Sequence, residues 1–303
     1  MNKFVSTITL LAIASCLAAC SPSPHRETLH LSPQEPVIEW AAVKTNAAKL
    51  ELKTLVTGSV TVPVSGMLNL DDPKTDHLEK ESMDVQVFAH WIKHPIKGDY
   101  LIDTGLDARF KNTKRGSLKG LIAPWIVENS HQEERQDILS QLKQNQVDVK
   151  GVFLTHVHGD HSSGIPALPQ GVEITLGKGE SLHQYPLIMY NDHFDKVTHL
   201  TELDFSLGSM MEPLGKVLDI FGDGSLWAIS TPGHTSGHVS YLVNTDGGWV
   251  LLTGDASHTR WGFENNVAPG WSENDEEAEQ SLEKLRLFSQ ENRDIRVVFG
   301  HQF

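Results

Sequence analysis

Four residues that can bind metal ions lie within six consecutive positions of the segment THVHGDHSSG, residues 155–164. Imidazole nitrogens and carboxylate oxygens are common protein ligands of zinc and related divalent ions. The four side chains are those of His156, His158, Asp160 and His161. Such a cluster predicts a metal site, and taken alone it leaves open whether the site holds one ion or two.

Three further residues of the same kind follow apolar runs that are typical of buried strands. His234 comes shortly after LWAIS, Asp255 follows WVLLTG and His301 follows RVVFG, with a glycine directly before each of them. Strand ends at one edge of a sheet can converge on one cleft, and rigid strands position ligands well. We therefore expect these side chains to meet at one site.

The remaining pattern predicts a domain of mixed strands and helices. VQVFAHWIKHP and GDYLIDTG have the features of two neighbouring strands, KGVFLT those of a buried strand, and LWAIS, HVSYLVN and WVLLTGD those of a meander. Strands that alternate with helices favour a layered α/β arrangement.

Two stretches have the capping signals and periodicity of amphipathic helices. SHQEERQDILSQLKQNQV predicts a helix capped by Ser130, with Glu133 three residues further on. SENDEEAEQSLEKLRLF predicts a second helix, capped by Ser272 with Asp275. The residues expected on the core face of this second helix are Ala278, Leu282, Leu285 and Phe288.

The composition excludes some classes of function. The chain has 303 residues, of which 39% are hydrophobic, and this length suffices for one sizeable domain. Its formal net charge is −14, and it has no run of Lys and Arg. We therefore expect no nucleic-acid partner, and no protein partner is evident from the sequence.

The N-terminus resembles the signal of a bacterial lipoprotein. Lys3 precedes the apolar run FVSTITLLAIASCL, which is too short to be a good spanning helix. The run ends in LAAC, with Cys20 last, and this motif resembles the lipobox, in which the peptide is cut before a cysteine that becomes lipidated. The alternative is an ordinary signal peptide with an incidental cysteine.

The lipobox interpretation divides the chain into three segments. These are a signal peptide over 1–19, the lipidated Cys20 with a proline-rich tether over 20–36, and the folded domain over 37–303. Ser21 after the cysteine favours the outer membrane, facing the periplasm, by the sorting rule of such lipoproteins. The mature chain would have no free thiol for catalysis or metal binding, because Cys16 is removed and Cys20 carries lipid.

The motifs taken together resemble the metallo-β-lactamase superfamily of hydrolases. H-x-H-x-D-H at 156–161, TPGHTSGH at 231–238, TGD at 253–255 and FGH at 299–301 occur in the family's order, and LIDTG at 101–105 matches a strand near the family's N-terminus. This resemblance implies a four-layer αβ/βα sandwich with a two-metal site at one edge.

The resemblance, which spans roughly Val85 to the C-terminus, also implies a role for each ligand. The residues implied for the first metal ion are His156, His158 and His234. Those implied for the second ion are Asp160, His161 and His301, with Asp255 bridging both. Zinc is the expected metal, and iron or manganese are the alternatives.

Two residues beside the implied ligands have other expected roles. His238, at the end of TPGHTSGH, is expected to be structural rather than a ligand. Asp103 in LIDTG either orients a ligand imidazole from behind or is an ordinary turn carboxylate at the end of a strand.

The segment GDASHTRWGFENNVAPGW at 254–271 resembles the corresponding segment of quorum-quenching N-acyl-homoserine lactonases. In that family Asp-Ala-Ser-Tyr-Thr carries the bridging Asp and a Tyr that polarises the substrate, and His258 takes the Tyr position here. The resemblance implies an ester or lactone substrate, attacked by a bridging hydroxide that Asp160 holds by a hydrogen bond. His258, or water on the second metal, would assist the departure of the alkoxide.

The aromatic residues after His258 and the class of substrate keep open alternatives. Trp261, Phe263 and Trp271 either line an apolar pocket beside the metals or pin a surface loop. The alternative functions are an organophosphate or aryl-ester hydrolase, a β-lactamase of the same fold, or a non-catalytic metal-binding lipoprotein of the envelope. Asp255 counts against a true β-lactamase, because such enzymes lack the bridging carboxylate at this position.

Overall fold

The computed structural model describes residues 23–79, 81–182, 184–185 and 187–302, without the side chains of residues 45 and 46. The predicted signal peptide and Cys20 lie outside these residues. Every helix within the described ranges is too short or too polar to cross a bilayer.

Eight strands form the first sheet. They are β1 (His25–Thr28), β2 (Glu51–Pro63), β3 (Ser82–His94), β4 (Gly98–Ile102), β5 (Asn129–His131), β6 (Val149–Phe153), β7 (Glu173–Gly177) and β8 (His199–Leu203). Their order across the sheet is β1-β8-β7-β6-β4-β3-β2-β5. Strands β4, β6, β7, β8 and β1 run parallel, whereas β2, β3 and β5 are antiparallel to their neighbours. The neighbouring strands predicted from VQVFAHWIKHP and GDYLIDTG are β3 and β4.

Six strands form the second sheet. They are β9 (Ser209–Met211), β10 (Gly215–Asp219), β11 (Leu226–Ser230), β12 (Val239–Thr245), β13 (Gly248–Leu252) and β14 (Arg296–Val298). Their order is β14-β13-β12-β11-β10-β9. The predicted meander is confirmed as β11, β12 and β13, and β14 joins it parallel to β13.

Helices cover the outer faces of both sheets. In the described residues the α-helices are α1 (Trp40–Asn46), α2 (Val64–Met67), α3 (Ala123–Ile126), α4 (Ile138–Gln144), α5 (Gly159–Ser162), α6 (Arg260–Asn265) and α7 (Asp275–Glu291). Leu285 of α7 packs against the second sheet, and Ile138 of α4 packs against the first. Phe153 and Tyr241 belong to the core between the sheets. The predicted αβ/βα sandwich of four layers is thus confirmed.

The first predicted helix begins later than its capping signal suggests. Ser130 lies in β5, which pairs with β2, and its hydroxyl donates to the carbonyl of Thr113. Asp137 caps α4 instead, by accepting a hydrogen bond from the Ser140 amide. The predicted start was wrong because pairing with a distant strand outweighed a local capping motif.

The second predicted helix is correct in its core face and wrong in its cap. Asn274 rather than Ser272 caps α7, and its side chain accepts a hydrogen bond from the Glu277 amide. The expected core residues are all buried: Ala278, Leu282, Leu285 and Phe288.

The folded domain begins earlier than the predicted boundary at Val37. Residues 25–28 form β1 at the edge of the first sheet, where the Arg26 guanidinium lies 2.8 Å from the Glu202 carboxylate. Leu29 and Leu31 pack against the core between the sheets. The proline content of this segment suggested a tether, but its alternating residues supply an edge strand. A chain that starts at Ser21 therefore retains every described element.

Candidate metal centre

The residues predicted as ligands meet at the edge of the sandwich where β6 ends. Their ligand atoms form two groups, within each of which all atoms lie within 4.8 Å of one another. The first group contains His156, His158, His234 and Asp255. The second group contains Asp160, His161, Asp255 and His301. This division is the one implied by the family resemblance, with Asp255 shared.

The Asp255 carboxylate lies at the centre of both groups. Its Oδ2 atom is 3.6 Å from Nε2 of His156 and 3.5 Å from Nε2 of His234 in the first group. The same oxygen is 3.3 Å from Nε2 of His161 and 3.5 Å from Nε2 of His301 in the second. One oxygen atom therefore faces four imidazole nitrogens, which come from three segments of the chain, those that follow β6, β11 and β14.

Several buried polar atoms in this cluster have no hydrogen-bond partner among the described residues. They include Nε2 of His156, Nε2 of His161 and Oδ1 of Asp255. A buried polar atom without a partner costs free energy. Divalent cations between these atoms would engage their lone pairs, so the residues present fit a centre of two metal ions.

Burial and neighbouring charges shift the pKa values of the ligand residues. Burial lowers the pKa of His156 and of His234 well below the ordinary value, and neighbouring histidines add to both shifts. Burial alone would raise the pKa of Asp255, but His161, His258 and His301 outweigh it and hold that pKa well below its usual range. Burial alone would lower the pKa of His161 and of His301, but Asp255 and Asp160 outweigh it and raise both pKa values. Neutral imidazoles and an ionised carboxylate are the forms that bind metals, so metal binding would displace protons from His161 and His301.

Asp103 orients the ring of His161 from behind. Its Oδ2 atom accepts a hydrogen bond of 2.7 Å from Nδ1 of His161, which turns Nε2 toward Asp255. Asp103 also accepts hydrogen bonds from the amide and the hydroxyl of Thr155, which precedes His156. Its φ of +58° shows that it is also the turn residue after β4. Asp103 therefore has both of the roles considered above: it orients the imidazole of His161, and it is the turn carboxylate at the end of β4.

His238 supports the bridging residue, as expected of a structural histidine. Its Nε2 atom accepts a hydrogen bond of 3.0 Å from the Asp255 amide, and its Nδ1 lies 2.8 Å from the Thr231 hydroxyl. Burial lowers the pKa of His238 to about 3, so the ring stays neutral and can accept from that amide.

His258 lies inside the site, in contact with the shared carboxylate. Its Nε2 atom is 3.2 Å from Oδ2 of Asp255, and its Nδ1 is 2.9 Å from the carbonyl oxygen of Met67. The His258 ring also stacks on His301, with 5.5 Å between the ring centres. The residue that takes the family's Tyr position is thus placed where it can act on a substrate.

Glu180 belongs to the site and was not predicted from the sequence. Its buried carboxylate accepts hydrogen bonds from the Thr235 hydroxyl and, at 3.1 Å, from the Gly237 amide, which ties down the loop that carries His234. Burial raises the pKa of Glu180 to about 7. The sequence signal is only an acid after a strand and a glycine, which is too common to single it out.

A cavity of about 540 Å³ opens beside the metal centre. Its apolar wall includes Val62, Met67, Phe110, Leu182 and Met189. Its polar lining includes six residues of the metal centre: His158, Asp160, His234, Asp255, His258 and His301. Such a cleft, largely apolar with converging polar groups, is typical of a small-molecule site.

The three aromatic residues after His258 do not share one role. Trp271 lines the cavity and is half exposed. Phe263 is instead buried on α6, where its ring packs against Phe299. Trp261 is half-buried against the apolar cluster that includes Val62 and Met67 of the cavity wall, but it does not itself line the cavity. Neither Phe263 nor Trp261 lines the cavity, so the pocket role holds for Trp271 alone among the three.

Comparison with known proteins agrees with the geometry of the site. Residues 83–301 match the Metallo-beta-lactamase superfamily. The N-acyl homoserine lactonase AttM of Agrobacterium fabrum is 29% identical over 215 residues, which cover 69% of this chain and 79% of that protein.

Solved structures share the fold. A Bacillus thuringiensis AiiA mutant with N-decanoyl-L-homoserine bound superposes with a TM-score of 0.67 at 21% identity, over 85% of this chain and 94% of that one. AidC, described as a dizinc quorum-quenching lactonase, has a TM-score of 0.52 at 16% identity, over 86% and 90% of the two chains. The chain belongs to the metallo-beta-lactamase superfamily and is a metal-dependent hydrolase.

Proposed function

We propose that this enzyme opens the ring of N-acyl-homoserine lactones, with two zinc ions held by its seven ligand residues. The observation that carries the proposal is the apolar cavity that begins directly at the shared Asp255 carboxylate. An acylated lactone has the matching shape, with a polar ring at one end and an apolar tail at the other. The names of the relatives, AttM among them, support this substrate, and the dizinc description of AidC supports the metal.

Different residues of the chain bind the acyl tail, orient the attacking water and give a proton to the departing oxygen. When bound, two metal ions supply Lewis acidity and a nucleophilic water at neutral pH. The apolar wall around Met67 and Leu182 holds the acyl tail and so directs the lactone carbonyl toward the ligands. The Asp160 side chain, one quarter exposed, faces the cavity and orients the attacking water. The ring C–O bond breaks, and His258 gives a proton to the departing oxygen.

A series of acyl chain lengths tests the proposed substrate. We expect kcat/KM to rise about fourfold for each added methylene, since burying one methylene contributes about 0.8 kcal/mol, until the cavity is filled. The series runs from N-butanoyl to N-dodecanoyl homoserine lactone, with aryl esters, phosphotriesters and β-lactams as alternative substrates. A protein with two bound metal ions that turns over no acyl-homoserine lactone would contradict the proposal.

Two leucine variants test whether the cavity wall contacts the acyl chain and so determines the dependence of kcat/KM on chain length. Leu182 and Leu168 are both half-buried against the same apolar cluster, but only Leu182 lines the cavity. Leu182→Phe should narrow the cavity and flatten the dependence on chain length. Leu168→Phe, the matched control, should leave that dependence unchanged.

We also propose that Cys20 is lipidated and holds the domain at the outer membrane, facing the periplasm. The apolar run that ends in LAAC supports this proposal. Cells supplied with a labelled fatty acid should incorporate the label into the parent chain and not into a Cys20→Ser variant. Equal labelling of both chains would contradict lipidation at Cys20.

A further inference from the structure

Apolar side chains are clustered on the surface around the opening of the cavity. Their exposed fractions run from 38% for Tyr190 to 78% for Leu121. We call this set the rim patch, and it consists of Leu121, Trp125, Tyr185, Leu187, Ile188 and Tyr190. Tyr185 and Tyr190 also line the cavity, so the patch borders its opening. A contiguous exposed apolar surface of this kind marks an interaction site.

The rim patch comes from two segments of the chain that backbone hydrogen bonds hold together. One segment contains Leu121 and Trp125, and the other contains Tyr185, Leu187, Ile188 and Tyr190. The Leu121 amide donates to the Leu187 carbonyl at 2.9 Å, and Lys119 and Tyr190 exchange two further bonds of 2.9 Å. Gly120, at a φ of +119°, allows this close approach, since a Cβ atom there would lie 2.2 Å from the Ile188 carbonyl oxygen. The two segments therefore present their apolar side chains as one unit.

Positive charge adjoins the rim patch in an otherwise acidic chain. The segment KNTKRGSLK at 111–119 contains four basic residues and no acidic one, although the whole chain has a net charge of −14. Lys111 pairs with Glu134, whereas the side chains of Lys114 and Lys119 are exposed. Trp and Tyr beside Lys are typical of surfaces at the interface between lipid and water, and exposed Lys residues attract anionic headgroups.

The short stretch between Cys20 and β1 limits how far the domain can lie from a lipid anchor at Cys20. Four residues lie between Cys20 and His25, so His25 is five residue steps from Cys20, a fully extended reach of about 17 Å. A domain of this size has a radius of gyration of about 19 Å. A lipid anchor at Cys20 would therefore hold the domain against the bilayer, where even a weak contact is favoured by high effective concentration.

We propose that the rim patch rests on the anionic surface of the bilayer, with the opening of the cavity directed into the headgroup region. The apolar and aromatic side chains enter the interface, and the neighbouring lysines contact acidic headgroups. Amphiphilic molecules dissolved in the membrane then enter the cavity without passing through bulk water. This docking does not depend on which bond the enzyme hydrolyses.

Vesicle binding by the unlipidated chain from Ser21 tests the patch without the anchor. We expect this chain to sediment with vesicles of phosphatidylethanolamine and phosphatidylglycerol, and less with vesicles of phosphatidylcholine alone. The double substitution Leu121→Gln and Trp125→Gln should lower the partition coefficient of the protein between water and the anionic vesicles at least about tenfold. The matched control, Ile96→Gln with Leu207→Gln, removes two other well exposed apolar side chains outside the rim patch and should bind like the parent.

Lysine variants test the charge without altering the apolar surface. Lys114→Glu with Lys119→Glu should reduce binding to the anionic vesicles and leave binding to phosphatidylcholine unchanged. Circular dichroism of each variant checks that the fold is retained. Because the assay needs no turnover, failure of the lactonase proposal leaves its outcome unaffected.

Three results would overturn the membrane proposal. The first is a parent chain that does not sediment with anionic vesicles. The second is equal binding by the patch variant and by its matched control. The third is a parent dimer in solution that the patch variant converts to a monomer, because the patch would then join two copies of this chain.

Discussion

Replacement of Asp255 by alanine is expected to remove at least one metal ion per chain and to lower kcat/KM at least about 10³-fold, or about 4 kcal/mol of transition-state stabilisation. The reason is the central position of this carboxylate, whose Oδ2 faces imidazoles of both ligand groups at 3.3 to 3.6 Å. Without it, the two groups lose their shared ligand. Metal content per chain and turnover of the preferred lactone are the measurements.

Two other carboxylates provide graded controls for Asp255→Ala. Asp137 is also buried, but it caps α4 away from the ligands, so Asp137→Ala should lower stability by about 1 kcal/mol and keep both metals. Asp103→Asn removes the charge behind His161 and should weaken metal affinity about 10- to 100-fold. Asn tolerates the positive φ of this position. Unchanged metal content and unchanged hydrolysis in Asp255→Ala would refute the two-metal assignment.

The ligand set could be predicted from the sequence because each ligand is tied to a local signal. His156 follows an apolar strand. His234, Asp255 and His301 each follow a different apolar strand, with a glycine directly before the ligand. Strands and their ends depend mainly on short apolar runs and on Gly, which a sequence displays directly. Their convergence then follows from the family's order of motifs and needs no knowledge of side-chain packing.

The parts that were not predictable depend on contacts between distant segments. Ser130 has a sound capping signal, yet its segment pairs with β2, about seventy residues earlier in the chain. Glu180 meets Thr235 only because the loop after β7 packs against the loop after β11. The residues of the rim patch come from two segments with no shared motif. Such pairings depend on tertiary packing, which outweighs local propensity.

His258 contacts two groups that can only accept hydrogen bonds. The Met67 carbonyl lies at Nδ1, and the ionised Asp255 carboxylate lies at Nε2. A neutral ring has one proton and satisfies one of the two, whereas the imidazolium donates to both. His258 also lies outside both groups of ligand atoms. Its geometry is therefore that of a proton donor beside the bridging carboxylate, which suits transfer of a proton to a departing oxygen.

The substitution His258→Phe keeps a ring of similar shape on His301 and removes both donors. We expect kcat for an acyl-homoserine lactone to fall about 10²- to 10⁴-fold, the usual contribution of general acid catalysis, with both metal ions retained. A p-nitrophenyl ester should be affected far less, because its leaving group departs without a proton. His258→Tyr, which restores a donor, should recover part of the lactone activity and serves as the matched control.

The two substrates separate the possible roles of His258. An equal loss on lactone and aryl ester, together with a lower metal content, would assign His258 to the metal ligands instead. Equal activity of the parent and His258→Phe on the lactone would leave the ring without a chemical role. A selective loss on the lactone at constant metal content is the outcome that the 3.2 Å contact with Asp255 predicts. In that case a histidine would perform the role that the related lactonases are expected to give to tyrosine.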